Sequence, residues 1–157
     1  MYMEKLGDVA AHLLQEDAAT QSGPMLAELQ KAHSVLLRAI DALEATCSAP
    51  PNRESIIAAR WDISRASLAR RMLWSKIHVH LLSGASKEEA ADLRRLAESD
   101  RELLRCSSQH VGRWRIDDVL ANWSTYYDAS RAIRWKMKAA IGAEKRVLYP
   151  MMATRRA

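Results

Sequence analysis

A histidine, two carboxylates and several arginines fall at positions where helical periodicity calls for apolar side chains. His33 interrupts the run Leu29, Leu36 and Ile40. Further along, Arg60, Ser67 and either Arg70 or Arg71 lie on or beside a second apolar stripe, Asp100 and Ser107 on a third, and Ser130 and Glu144 on a fourth. A polar group removed from water needs a partner, so this pattern predicts a polar layer enclosed by helices. Imidazole and carboxylate are metal ligands and proton carriers, whereas a guanidinium beside a carboxylate makes a buried ion pair or an anion pocket. His33 alone fits a satisfied core histidine or a ligand, and Arg71 with Glu144 or Asp100 fits a structural ion pair or a ligand pocket. Paired catalytic carboxylates, a nucleophile with its base and a phosphate-cradling glycine loop are all missing, which argues against a hydrolase or kinase; no enzyme is expected.

Helices must position these residues. Residues 3–19 read as a short amphipathic N-terminal segment, with a break at Gln21, Ser22, Gly23 and Pro24. The stripe Leu26, Leu29, Leu36, Ile40 and Leu43 then forms a first long helix ending near Thr46. Asn52 is placed to cap a second, which carries Ile56, Ile63, Trp74, Ile77 and Leu81 as far as Leu82, where Ser83 and Gly84 stop it. Ser86 and Glu89 form a capping box for a third, running to about His110 with Gly112 closing it. A fourth spans about Asp117 to Tyr149, with Pro150 as its end. No strand signal competes. The expected fold is all-α, an up-down-up-down antiparallel four-helix bundle preceded by the short N-terminal segment, in a single domain over residues 1–157.

Composition agrees: 48% of the 157 residues are hydrophobic and only 5 are Gly and 4 Pro, the balance of a folded helical chain. Phe is absent, and Leu, Ile, Met and Trp supply the core volume instead. Cys47 and Cys106 show neither disulfide-framework nor zinc spacing, so reduced thiols in a cytoplasm are expected. Glu4, Asp8, Glu16 and Asp17 rule out an apolar leader or span in the first twenty residues, so no membrane partner is expected. The net charge of +5 suits anionic partners, but the basic residues are dispersed and nucleic acid is not the expected partner.

Three stretches resemble the hemerythrin-like (HHE cation-binding) family, together covering roughly residues 25–152. Leu29, His33, Leu36, Leu37 and Ile40 resemble its opening helix. Residues 58–82 are similar to its second helix, where a histidine and then a glutamate are expected, and those positions hold Arg71 and Ser75. Ile133 to Met152 resembles the closing helix: Glu144, Leu148, Tyr149 and Pro150 match, while Ala140 stands where the family has histidine. Trp114 and Trp123 sit where relatives commonly place aromatics.

The resemblance implies a di-iron site whose ligands have largely been replaced. His33 and Glu144 remain as ligand-type positions, and the candidate polar layer comprises His33, Arg71, Ser75, Asp100 and Glu144. A guanidinium cannot ligate a cation and repels one, so Arg71 is expected to replace the metal's charge beside Glu144, and no cofactor is expected. Restoring His at 71, Glu at 75 and His at 140 is expected to return affinity for a divalent metal. The leading functional expectation is a non-enzymatic regulatory or interaction module whose partner is another protein or a second copy. The alternatives are a mononuclear metal-binding oxygen or redox sensor using His33, Glu144 and Asp100, with iron as cofactor, and an anion or nucleic-acid binder using dispersed arginines such as Arg60, Arg65 and Arg105.

Overall fold

The computed structural model describes residues 2–155, with side chains from Thr20 onward, and is all-helical, with no strand among the described residues. The helices are α1 (Tyr2–Ser48), α2 (Arg53–Leu82), α3 (Lys87–Arg113), α4 (Ile116–Ala121) and α5 (Trp123–Thr154). α1 packs on α2 and α5, α3 packs mainly on α5, and α2 meets α3 at only a few points.

Several boundaries follow the local chemistry. Asn52 caps α2, its side chain accepting from the Ser55 N–H at 2.9 Å. The capping box forms as expected: Ser86 accepts from the Glu89 N–H at 3.1 Å, and the Glu89 carboxylate accepts from the Ser86 N–H at 2.9 Å. Gly84 follows the end of α2 with φ +97°, a conformation that glycine adopts without steric cost.

Four expectations are corrected. The break at residues 21–24 does not occur, and α1 runs through Pro24 as one helix. Its continuity is favoured by burial: Ser22 is fully enclosed with its hydroxyl 3.0 Å from His80 Nε2, and Met25 and Leu26 pack beside Leu29. The apolar face expected for residues 3–19 lies outside the described side chains. Pro150 likewise does not end α5, which continues to Thr154 and thereby buries Met151 and Met152. The expected fourth helix is instead two, divided at Asn122, whose side-chain amide and backbone N–H both donate to the Asp118 carbonyl and close α4. Gly112 does not close α3 either; the helix carries on to Arg113 and Trp114 caps it.

The apolar interior forms two clusters. One gathers Leu36, Ile40, Ile63, Tyr126, Ile133, Met137 and Ile141. The other gathers Leu29, Trp74, Ile77, Leu93, Leu96 and Leu148. On each of the four long helices, one polar residue falls between the members of the two clusters: His33 on α1, Arg70 on α2, Asp100 on α3 and Glu144 on α5.

Candidate functional site: a buried ion network between the two cores

Arg70 is the centre of this layer. Its position follows from the α2 stripe Ile56, Ala59, Ile63, Ala66, Arg70, Trp74, Ile77 and Leu81, whose three- and four-residue steps hold one face inward. Only 3% of Arg70 is exposed. Its Nη1 donates to Glu144 Oε1 and its Nη2 to Asp100 Oδ1, the latter at 2.6 Å. The fork of a guanidinium can serve two carboxylates at once in fixed directions.

Glu144 is equally enclosed and spends its second oxygen on α1, accepting from His33 Nε2 at 2.6 Å. An ionised carboxylate can only accept, so this nitrogen carries the hydrogen. The other ring nitrogen, Nδ1, lies 2.7 Å from the Tyr149 hydroxyl, which donates to it when the ring is neutral. Burial, and then the nearby Glu144 charge, push the Tyr149 phenol above its usual value, so it stays protonated. A continuous chain therefore runs Tyr149, His33, Glu144, Arg70, Asp100, joining α1, α2, α3 and α5.

The expected residues are partly reassigned. His33, Glu144 and Asp100 come together as expected, but Arg71 is not the inward arginine. Its side chain is 29% exposed, and its Nε lies 4.0 Å from Asp100 Oδ2 at the edge of the layer. Ser75 is exposed and returns its hydroxyl to the Arg71 carbonyl, so it lies outside the layer. Ala140 is half-buried and lines a surface hollow with Glu98, Arg101 and Trp135. Tyr149, which the sequence offered only as a match to the family's closing helix and not as part of the polar layer, joins the chain as a further member. Arg134 was not anticipated at all: it is buried next to Ile133, donates through Nε to the Ser130 carbonyl at 3.2 Å and approaches Glu44 at 3.5 Å.

The residues present do not fit a di-iron pair. Both Glu144 oxygens and one Asp100 oxygen are committed to His33 and Arg70, and a guanidinium occupies the space between the carboxylates. Among the described residues, no group of three or more His, Cys, Asp and Glu side chains is arranged to hold a metal ion.

Several dispersed arginines bind acids one turn away on their own helix: Arg65 with Asp62, Arg95 with Asp92 and Arg105 with Glu102. None of the described helices is long and apolar enough to cross a membrane. Searches for relatives return no matching family model, no matching curated protein and no matching solved structure.

Proposed function

We propose that the chain is a non-enzymatic, hemerythrin-like up-down-up-down bundle in which an ion network stands where relatives place a metal pair, and that it works as a regulatory or interaction module. The observation that carries this reading is Arg70, enclosed between Glu144 and Asp100 with His33 on the far side of Glu144. Its positive charge sits among groups that would otherwise be ligands and offsets the cost of burying their negative charge.

A second observation favours an interaction role. Ile57, Trp61, Leu68, Met72 and Val79 form a row along α2 and remain exposed, Trp61 by 64% and Val79 by 72%. A contiguous apolar strip of this kind marks surfaces that meet partners more often than inert ones.

The test is elemental analysis of protein purified without chelator. The expected result is substoichiometric iron and no absorption from an oxo-bridged pair. Two irons per chain would overturn the proposal, and one tightly held metal per chain would favour the mononuclear sensor.

A further inference from the structure

Beside the ion network, α2 and α3 stand apart and leave a slot of about 760 Å3 between them. Its lining on α2 extends from Ile57 to Arg71, roughly 20 Å of helix at 1.5 Å per residue. Ile63, Ile133 and Met137 form part of its apolar surface, together with Trp61, exposed on α2, and Leu104 on α3. The volume is that of a small-molecule site, and such sites combine apolar walls with a few directing polar groups.

Three guanidinium groups reach the slot, and they are not equivalent. Arg70 is held by Glu144 and Asp100, and Arg71 lies against Asp100. Arg60 pairs with no carboxylate among the described residues. Its Nη2 donates to the Trp114 carbonyl at 2.7 Å, and its guanidinium carbon lies 5.8 Å from the centre of the Tyr126 ring. Its Nε and Nη1 make no hydrogen bond among the described residues and are not fully enclosed, so their N–H groups can be offered at the slot. His110 shares this end of the slot and stacks on Tyr126 with ring centres 5.7 Å apart. Burial, and then Arg60, lower its pKa to about 4, so it is neutral at pH 7 and adds no second charge.

We propose that this slot binds an amphipathic carboxylate, with the carboxylate on Arg60 and the apolar body along the Ile63, Ile133 and Met137 surface. One guanidinium without a carboxylate partner matches one carboxylate through charge-assisted hydrogen bonds. A phosphate would bring a second charge, and the other two cations of the slot are already matched by Asp100 and Glu144. The site stands whether or not the ion network descends from a metal centre.

Calorimetric titration of the full chain, with each probe kept below its micelle concentration or solubility limit, provides the test. Dodecanoate should bind saturably at one site per chain, at least roughly tenfold tighter than dodecanol, the difference expected for a charge-assisted hydrogen bond. Dodecylammonium should bind weakest. Arg60→Met should bring dodecanoate to the level of dodecanol, Arg60→Lys should keep part of the preference, and Ser107→Trp, which fills the slot, should weaken every probe. Naphthaleneacetate serves as the aromatic counterpart: binding tighter than dodecanoate identifies an aromatic acid as the favoured body, and weaker binding an acyl chain. Three results would each overturn the proposal: neither acid binds saturably, dodecanoate binds no tighter than dodecanol, or folded Arg60→Met keeps the full carboxylate preference. If Arg60→Met does not fold, the order of the three dodecyl probes on the unaltered chain decides.

Discussion

Removing Arg70 alone should cost more than removing it together with Glu144. In Arg70→Met, Glu144 keeps His33 but loses its guanidinium, and at 4% side-chain exposure it cannot recover water. Asp100 suffers less, being 13% exposed and beside Arg71. Stranding one member of a buried pair costs about 3–5 kcal/mol. For a chain of this size that lowers the midpoint of thermal unfolding by roughly 6–20 °C. Glu144→Leu should cost a comparable amount, because it leaves Arg70 half-partnered and His33 Nε2 without an acceptor. The double variant removes both buried charges and leaves chiefly the stranded His33 N–H, a loss of about 1–3 kcal/mol. Urea unfolding of the four proteins followed by circular dichroism gives the coupling directly. Single costs that add in the double variant to within about 0.5 kcal/mol would refute the network as a coupled unit.

Other outcomes are expected with equal definiteness. The triple variant Arg71→His, Ser75→Glu and Ala140→His should bind divalent metal no better than the unaltered chain, since Ser75 is exposed and Arg71 lies at the edge of the layer. Arg70→His, by contrast, places a second imidazole among His33, Glu144 and Asp100 and should bind Zn2+ or Co2+ measurably in a titration; a folded variant that does not would mark the layer as structural only. His110 should titrate near 4 by NMR, and Arg60→Met should raise that value while leaving it below 6.5, because burial is the larger cause. With its folded pKa below the unfolded one, His110 contributes stability that is present above pH 6.5 and lost as pH falls toward 4. Cys47 is 3% exposed and its thiol is pushed up by burial, so iodoacetamide followed by mass spectrometry should label Cys106 far faster.

The layer was legible wherever periodicity alone was followed. His33, Asp100 and Glu144 interrupt three- and four-residue apolar steps, and burial at those positions is what such steps imply. The same arithmetic applied to α2 selects 70, seven residues after Ile63 and seven before Ile77. Alignment to the family's histidine position selected 71 instead, one residue and about 100° around the helix. Arg134 was hidden because it adjoins Ile133 and the buried face of α5 is wide enough there to enclose both. The prolines misled for another reason: a lost backbone bond is a local cost, whereas the burial of Ser22, Met151 and Met152 that favours continuation depends on neighbours distant in sequence. The division at Asn122 carries no glycine or proline to announce it.

Leucine and isoleucine at three- and four-residue spacing are tolerant of sliding. Two helices displaced along their axes by one turn, 5.4 Å, still present apolar faces to each other. Charges are not tolerant in this way, because after such a slip Arg70 would face the level of Leu96 or Leu103 on α3, or of Ile141 or Leu148 on α5, while Glu144 sat bare. This charged tier thus works as an index mark common to α1, α2, α3 and α5, like a polar rung that fixes alignment in a coiled coil. Substituting all its members by apolar residues of similar volume should then leave a chain that is folded and no less stable, yet distributed over several alignments, visible as multiple or broadened amide signals where the native sequence gives one set.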